Sequence, residues 1–567
     1  MEQRVLRVDM ARLQVREEPA PEAWRLLGGR ALTSHIVAAE VEATADPLGP
    51  EAKLVFAPGL LGGTAITTSG RTSFGGKSPL MDGLKEANVG GVLGHKLARL
   101  GIKAVIVEGA PRDGRLHLLR LAPDGAWRFE VADGLAGLGT YETSRRLLEG
   151  ASAKTRAVVS IGPAGEHRMK AASIAVNDPE GRPTRHAARG GLGALMAAKG
   201  LKAIVVDDGN AKNVEAADPA RFREAMLRFS RVVLDDPRTQ NLSRTGTAGV
   251  IKFVNRDNVA SMPTRNHRSG VFPLAERISG QRIAELGEER GGKMLPCMAG
   301  CIIKCAILYN DAKGEHITSA LEFETIALFG ANLEVDDIDA IARMDRLCDD
   351  LGLDTIETGN AFGVAMEAGV LRWGDWRGVV RVLDEDVRRG TPLGRNIGNG
   401  TVAAARAWGI GRIPAVKGQG LPAWEPRTLK AMGVTYATSP QGADHTAGLV
   451  TARGGVTHET LMKSSRHEQL VMAAVDSVGL CQFSNPVEAD MAALVSAQHG
   501  VAWTVDDVLA LGRRTLVEER DFNMRTGFPP DAKTLPDFLR TEPIDTADGP
   551  QVFDLDDELL ERFWQFE

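Results

Sequence analysis

Cysteine and long apolar runs are scarce in this sequence and basic residues are not in excess, and each of these facts excludes a class of protein. The 567 residues include only 5 cysteines, an odd number that argues against a disulfide framework. No stretch reaches the roughly 18 uninterrupted apolar residues that can span a bilayer, so no membrane insertion is expected. The 68 basic residues do not outnumber the 74 acidic ones, and a net charge of -6 predicts no nucleic-acid partner.

The ordinary balance of the remaining residues predicts a globular protein. Hydrophobic residues make up 43% and charged residues 25% of the chain, which is long enough for several domains. The N-terminal segment alternates like a strand and lacks the apolar centre of a signal peptide, so the cytoplasm is the expected compartment.

Glycine is abundant: 63 residues exceed the usual share of ~7%. Many of these glycines gather in four segments that we predict to be loops, where the backbone can approach a ligand closely. The four segments are Gly59 to Gly63, Ser69 to Gly76, Asn88 to Gly94 and Ala188 to Gly193.

The pattern of apolar residues changes near residue 210. Before it, short β-branched runs between glycine, proline and aspartate predict strands. These runs are RVLRVDM, KLVFAPG, AVIVEG, HLLRL, WRFEV, AVVSIG, KAASIAV and KAIVVDD. Beyond residue 210 the apolar residues recur with the period of a helix, and a second, less distinct domain boundary is predicted near residue 395. We therefore predict domains at 1–208, 209–395 and 396–567.

One helix-to-helix junction is clearly marked. Asp336 and Asp337 can begin a helix that Gly352 ends, and Asp354 with Glu357 has the spacing of a capping box for the next helix.

The same junction occurs twice. The first copy reads D-x-x-G-L-D and the second D-x-x-G-L-C. In each copy a carboxylate and free backbone groups would point one way, which suits a flat heterocycle rich in N–H donors. Two copies suggest a ligand with two similar halves; the alternative is two ordinary helix ends. The residues concerned are Asp349, Gly352, Leu353 and Asp354, and Asp476, Gly479, Leu480 and Cys481.

Three cysteines, Cys297, Cys301 and Cys305, are spaced C-x3-C-x3-C. An unbroken helix would spread them over ~12 Å, too far for ligands of one cubane. Pro296 and Gly300 can supply turns, and Cys481 is the natural fourth thiolate of a [4Fe–4S] cluster. A four-cysteine zinc site and a stripe of buried free cysteines are the alternatives. The fifth cysteine, at position 348 in the middle of a helix, is interpreted as core.

These motifs, in this order along nearly the whole chain, resemble the tungsten-containing aldehyde:ferredoxin oxidoreductase family. The resemblance also covers SGRTSFGGKSPL, NVGGVLGHKLARLGIKAVIVEG, ARGGLGALMAAKGLKAIVV, ASMPTRNHRSGVF and VTYATSPQGADHT. It implies an α+β multidomain fold, with a β-rich N-terminal domain as the base for a bis-pterin cofactor and two mainly α-helical domains above it.

The resemblance also implies the cofactors and the residues that hold them. Tungsten or molybdenum would be held by the dithiolenes of two pterins, whose phosphates are bridged by Mg²⁺, next to the [4Fe–4S] cluster. Asp349 and Asp476 would hold the pterin rings. The remaining contacts to the cofactor would come from Arg71, Asn88, Gly90, Gly91, Arg185, Arg189, Gly190 and Gly191.

For the chemistry, Glu324 matches the family's glutamate beside the metal and His445 its active-site histidine, with Glu322 as a second carboxylate. The implied reaction is aldehyde plus water to carboxylic acid. The implied partners are ferredoxin or an iron–sulfur or flavin subunit, and a homodimer is one implied assembly.

One departure from the family stands out: its first cysteine gap is usually two residues, and here it is three. This leaves open a low-potential reductase subunit acting on an acid, aldehyde or aromatic thioester. A non-catalytic iron–sulfur relay or zinc-stabilised scaffold is the other alternative.

Overall fold

The N-terminal region contains a six-stranded mixed sheet with the order β2-β1-β6-β3-β4-β5. The computed structural model describes residues 3–121, 125–319, 321–452 and 456–566. The strands of this sheet are β1 (Arg4–Asp9), β2 (Gln14–Pro19), β3 (Leu54–Pro58), β4 (Thr72–Lys77), β5 (Leu84–Val89) and β6 (Ile102–Glu108). Strand β1 is parallel to β6, and the other neighbours are antiparallel.

A second six-stranded sheet repeats the first. Its order, β8-β7-β12-β9-β10-β11, has the same sequence of parallel and antiparallel neighbours. The strands are β7 (His117–Leu121), β8 (Trp127–Val131), β9 (Arg156–Ser160), β10 (Ile174–Val176), β11 (Arg185–Ala187) and β12 (Leu201–Asp207). The N-terminal domain is thus a structural duplication.

The duplication is visible in the sequence once the sheets are known. GGVLGHKLARLGIKAVIVEG, from residue 90, and GGLGALMAAKGLKAIVVDDG, from residue 190, each form a helix followed by a buried strand. The prediction of a loop from Ser69 to Gly76 is wrong over most of its length, because β4 begins at Thr72. Gly75 packs directly on Thr33, and this close contact explains a glycine within a strand.

Helices dominate the rest of the chain, as predicted, so the α+β multidomain class is confirmed. A small sheet of β13 (Lys293–Leu295), β14 (Ala306–Asn310) and β15 (His316–Thr318) interrupts them, as does the hairpin β16 (Ala415–Val416) and β17 (Gln419–Gly420). The helices, including those of the N-terminal domain, are α1 (Gly29–Glu40), α2 (Leu93–Arg99), α3 (Thr140–Leu148), α4 (Pro163–Glu166), α5 (Leu192–Ala198), α6 (Pro219–Asp235), α7 (Pro237–Thr245), α8 (Ile251–Val254), α9 (Gly280–Arg290), α10 (Phe323–Phe329), α11 (Ile338–Leu351), α12 (Thr355–Glu367), α13 (Trp376–Arg381), α14 (Pro392–Gly398), α15 (Thr401–Trp408), α16 (Lys430–Thr438), α17 (His458–Val478), α18 (Glu488–His499), α19 (Val505–Thr526), α20 (Phe538–Thr541) and α21 (Asp557–Glu561).

The two repeated junctions dock on equivalent places of the two sheets. The end of α11 meets Gly162, which follows β9. The contact is so close that a Cβ added at Gly352 would lie 2.8 Å from the backbone nitrogen of Gly162. The end of α17 meets Gly59, which follows β3, and the backbone of Leu60 and Leu61 donates to its last carbonyls. Each helix therefore ends at the same point of one half of the duplicated base.

Helix capping near the first junction is partly as predicted. Asp337 accepts hydrogen bonds from two backbone N–H groups at the start of α11, and Asp354 caps α12. The predicted capping box does not form, because Glu357 does not bond back to the residue that begins the helix. The carboxylate of Glu357 accepts from the backbone N–H groups of Thr401 and Gly420, both at 2.7 Å, because this buried charge lies between three segments of the chain.

The large core is shared by the helical regions on both sides of residue 395. Phe362, before that position, belongs to the same buried cluster as Tyr436 and Phe563, after it. Leu559, Leu560 and Phe563, near the C-terminal end, are buried in the same cluster, so this segment packs against the rest of the chain. Among the helices of the described residues, none has the length and apolar character that crossing a membrane requires.

Gly479→Ala is expected to destabilise the protein more than Gly527→Ala. Both glycines end helices at positive φ, +86° and +93°, where any other residue is strained by about 1–3 kcal/mol. A Cβ at Gly479 would also lie 2.8 Å from the Cα of Gly59, whereas nothing lies within 4 Å at Gly527. Apparent melting temperatures of the two variants measure the difference, and equal values would show that the close contact between α17 and the first sheet is unimportant.

Candidate active site

A cavity of about 290 Å³ lies where the duplicated base meets the helices. Residues from all three regions of the chain line it, and they include twelve of the residues singled out from the sequence. These twelve are Arg71, Asn88, Gly90, Arg185, Arg189, Glu322, Glu324, Asp349, Leu353, Asp354, His445 and Asp476. Gly91, Gly190, Gly191, Gly352, Gly479 and Leu480 do not line it, and they shape the adjoining backbone turns.

The first junction contributes a buried acid to this cavity. His186 approaches Oδ1 of Asp349 with its Nε2 at 3.2 Å, and Oδ2 has no hydrogen-bond partner among the described residues. Burial and the neighbouring Asp345 raise the pKa of Asp349 well above its ordinary value. The free oxygen can therefore exchange hydrogen bonds with a polar ligand in the cavity.

The second junction contributes a differently supported acid. Asp476 lies 3.5 Å from the guanidinium of Arg30, which is itself held by both oxygens of Glu519 at 2.9 and 2.8 Å. Burial raises the pKa of Asp476 to about 6, and that of the adjacent Glu86 to about 8. The two equivalent acids thus meet different neighbours, a histidine in one half and an arginine in the other.

Sequence reasoning missed the supporting set Arg30, Glu86 and Glu519. Nothing in the local patterns links these residues, since 489 positions separate Arg30 from Glu519. It also missed a buried ion pair between Lys85 and Asp444, 2.6 Å apart, which lines the same cavity. Only the fold brings these charges together.

The predicted anion-binding arginines have different surroundings. The guanidinium of Arg71 donates two hydrogen bonds to Asn88, one to its side-chain oxygen and one to its backbone carbonyl oxygen at 3.2 Å. Arg185 donates to the carbonyl of Ser319 at 2.6 Å and lies 3.6 Å from Glu322. Arg189 is fully engaged by the protein, through Asp354 at 3.2 Å and the carbonyls of Ala443 and Gly420.

The four cysteines named for a cluster come together although Cys481 is far away in sequence. Cys297, Cys301 and Cys305 lie on the loop between β13 and β14, and Gly300 turns it at a φ of +76°. All four thiols are buried in one apolar cluster near the end of α17, and their charges influence one another.

Positive charge lies next to this group of thiols. A hydrogen bond with Cys301, together with Arg185 and Arg71, lowers the pKa of Cys297 to about 6. Thiolates are the form that binds iron or zinc, so these two arginines favour ligation. Within the described ranges, no three His, Cys, Asp or Glu side chains form a preformed site for a single metal ion. Cys348 lies apart from the four, fully buried within α11, as predicted for a core residue.

The predicted catalytic pair also meets. Glu324 and His445, from α10 and the segment after α16, approach within 3.5 Å. The backbone N–H of Ala423 donates to Oε2 of Glu324 at 2.7 Å. In the described part of the chain, neither Oε1 of Glu324 nor Nδ1 of His445 has a hydrogen-bond partner. Glu322 is held by the hydroxyl of Thr247 at 2.6 Å.

These three residues stand where two cavities meet. Glu322, Glu324 and His445 line both the inner cavity and a larger channel of about 1160 Å³. A carboxylate and a histidine at such a meeting point can exchange protons with a molecule that enters through the channel.

Two family descriptions match the chain. "Aldehyde ferredoxin oxidoreductase, N-terminal domain" matches residues 5–208, and "Aldehyde ferredoxin oxidoreductase, domains 2 & 3" matches residues 224–567. The tungsten-containing aldehyde ferredoxin oxidoreductase of Pyrococcus furiosus is 31% identical, over 96% of this chain and 92% of that protein.

Two further proteins are similar to the chain. An aliphatic sulfonate oxidoreductase, WOR-like subunit, of Pyrococcus furiosus is 27% identical over 85% of this chain and 79% of that protein. A chain of the active-site complex BamBC of benzoyl coenzyme A reductase, solved with 1,5-dienoyl-CoA, has a TM-score of 0.81 at 18% identity. The match covers 99% of this chain and 94% of that one, and it shows a shared fold.

Proposed function

Because this chain belongs to the aldehyde ferredoxin oxidoreductase family and is an oxidoreductase, we propose that it oxidises an aldehyde with water to the carboxylic acid. The observation that carries the proposal is the pair Glu324 and His445, which lies between the inner cavity and the open channel. The family implies a tungsten–pterin cofactor, for which the inner cavity is the proposed place.

The residues of the cavity fit a cofactor of this kind. Asp349 has a free buried oxygen, as do Glu86 and Glu324, and a buried polar atom without a partner is costly unless a ligand satisfies it. Asp349 and Asp476 would each hold one pterin ring, one at each half of the duplicated base. Molybdenum is the alternative metal; when bound, either metal would accept the two electrons that leave the aldehyde carbon.

Phosphate groups and Mg²⁺ would lie on the glycine turns. Arg71 and Arg185 line the cavity and carry guanidinium groups suited to phosphate, and Asn88 offers an oxygen ligand of the type that Mg²⁺ prefers. Arg189, whose nitrogens are already occupied by Asp354 and two carbonyls, would act by holding the wall in place.

Glu324 and His445 would handle protons. The Ala423 N–H fixes one oxygen of Glu324 and leaves the other free to take a proton from water or from the hydrated aldehyde. His445 would donate a hydrogen bond to the carbonyl oxygen, where negative charge develops. Glu322, anchored by Thr247 and near Arg185, would be the second proton acceptor.

Electrons would leave through a [4Fe–4S] cluster on Cys297, Cys301, Cys305 and Cys481. Cys481 directly follows the second D-x-x-G-L junction, so the same few residues would touch one pterin and the cluster. This continuity supports single-electron transfer to ferredoxin or to a partner iron–sulfur or flavin subunit.

Metal analysis of anaerobically purified protein, followed by an aldehyde oxidation assay with a viologen dye, tests the proposal. We expect about one tungsten or molybdenum and about four irons per chain, together with dye reduction that requires an aldehyde. Dye-driven reduction of an acid or thioester without aldehyde oxidation would assign the chain to the reductase alternative. Zinc alone, with neither tungsten nor molybdenum, would refute the proposed cofactors.

A further inference from the structure

Arginine is concentrated on the first two helices after the N-terminal domain. Residues 219–244, which form α6 and most of α7, contain six arginines, no lysine and only three acidic residues. The chain as a whole has a net charge of -6, so this segment is a basic region of an acidic protein. Arginine in place of lysine is typical of surfaces that bind other proteins.

The outer face of α6 combines this charge with apolar side chains. Leu227 and Leu234 are 57% and 53% exposed and lie two helical turns apart. Arg223 and Arg231 are exposed on the same face, four positions before and after Leu227. Neither arginine makes an ion pair with any residue that the structure describes. We call these four residues the arginine–leucine stripe.

The exposed apolar surface extends from α6 onto α18. The two helices run in opposite directions, and Arg228 of α6 donates to the carboxylate of Asp490 on α18 at 3.1 Å. Val232 lies one turn beyond Arg228, and Val487 lies three positions before Asp490, so the two valines are neighbours. They are 48% and 49% exposed. Apolar side chains exposed next to one another in this way mark a site of protein–protein interaction.

This surface lies over the part of the protein that contains the four cysteines. On its inner side α6 contributes Phe229 and Val233 to the apolar cluster that includes all four thiols, so one helix layer, roughly 10 Å thick, separates the stripe from that cluster. After α7 the chain turns at Gly246, where an added Cβ would lie 3.0 Å from the carbonyl oxygen of Cys305. The cysteine loop also reaches the surface, since Gly300 at its turn is exposed.

Electron transfer between two proteins becomes faster as their redox centres approach, so a carrier must dock close to the centre that reduces it. We propose that the arginine–leucine stripe, together with Val232 and Val487, docks an acidic iron–sulfur carrier protein that takes up electrons from a centre on the four cysteines. Opposite charge brings the carrier to the stripe, and the apolar side chains are covered on contact. A second copy of this chain fits less well, because a two-fold interface would bring the same arginines together.

This inference rests on the proposed function for the source of the electrons. Oxidation of one aldehyde with water releases two electrons and two protons, so two oxidised carriers would each leave with one electron. Docking itself needs no turnover, and redox encounters of this kind bury little surface and are weak. The docking site can therefore be tested by binding alone.

The first test is anaerobic calorimetric titration of the unmodified, metal-loaded enzyme with an oxidised acidic [2Fe–2S] ferredoxin, at about 20 mM and about 200 mM salt. We expect Kd to rise about tenfold between the two conditions, because salt screens the attraction between opposite charges. Cytochrome c, a basic one-electron carrier, is the control of opposite charge and should not bind. Failure of ferredoxin to bind, or binding that salt does not weaken, would overturn the proposal.

The second test reverses both charges of the stripe in the double variant Arg223→Glu/Arg231→Glu. We expect ferredoxin to bind at least about tenfold more weakly and with a smaller dependence on salt, because the reversed charges repel an acidic carrier. Aldehyde-dependent reduction of a small dye should be unchanged. The matched control Arg112→Glu/Arg389→Glu reverses two exposed arginines on other segments and should bind ferredoxin as the unmodified enzyme does.

Leu227→Ser tests the apolar part of the stripe separately from its charge. We expect binding to weaken about three- to tenfold at both salt concentrations, since less apolar surface is covered on docking. Leu274→Ser, at a leucine that is 41% exposed outside the stripe, is the control and should leave Kd unchanged.

Equal ferredoxin binding by the stripe variants and their controls would overturn the docking site. Dissociation of an oligomer of this chain by the same substitutions would also overturn it, because the stripe would then be an interface between copies. Stripe-dependent binding by an enzyme that oxidises no aldehyde would leave the docking site standing and refute the proposed function.

Discussion

Glu324→Gln is expected to lower kcat for aldehyde oxidation by about two to four orders of magnitude, the usual contribution of a positioned general base. Glutamine has nearly the same shape and can still accept the hydrogen bond from the Ala423 N–H at the position of Oε2. It cannot take up a proton at the free Oε1, which is the atom facing His445. The variant should therefore bind its cofactor and product normally while failing in the proton-transfer step.

The measurement is steady-state turnover with a dye acceptor, normalised to the tungsten or molybdenum content of each preparation. Glu289→Gln, an exposed carboxylate on α9, is the matched control and should keep full activity. Undiminished turnover in Glu324→Gln with retained metal would rule out Glu324 as the base. Loss of metal from the variant would instead assign Glu324 to cofactor binding.

Cys481→Ala is expected to remove the iron–sulfur cluster. Iron should fall from about four atoms per chain to nearly none, because a cubane held by four thiolates is lost when one buried ligand becomes a methyl group. Aldehyde-dependent reduction of an acceptor should fall at least a hundredfold, since electrons would have no route out of the buried cavity. Iron analysis and the electron paramagnetic resonance spectrum of the reduced protein measure both effects.

Cys348→Ala is the matched control for this experiment. Cys348 is as fully buried as the cluster cysteines but lies within α11 in the main helical core. Its replacement should leave a small cavity and cost stability, with iron content unchanged. A full complement of iron in Cys481→Ala would exclude it as the fourth ligand. Stoichiometric zinc in the unmodified protein would favour the zinc interpretation of the four thiols.

The predicted pattern of helices was reliable where the signal was local. Asp337 and Gly352 correctly placed the two ends of α11, because a helix cap acts within one helical turn. The predicted capping box failed at Glu357, since the hydrogen bonds that this carboxylate accepts come from residues more than forty positions away.

Clusters of glycine were the least reliable predictors of loops in this sequence. Glycine clustering marked Ser69 to Gly76 as a loop, but the segment from Thr72 is a strand buried on both faces, where Gly75 admits the side chain of Thr33. Close packing and ligand approach both require the absence of a Cβ, so the sequence does not distinguish them. The duplication of the base was equally hidden, because most of the repeated strands share only their apolar character.

By itself the sequence marked residues that we propose carry the chemistry: three closely spaced cysteines with Cys481, and the two D-x-x-G-L junctions; Glu324 and His445 came from the family resemblance. Those patterns reflect covalent spacing and short-range backbone geometry. The tertiary structure alone decided which charges support them, as the different environments of Asp349 and Asp476 show. It also decided that Glu324 and His445 lie where the inner cavity meets the larger channel. Such features arise where distant segments exclude water together, and burial of that kind leaves no periodic mark in a sequence.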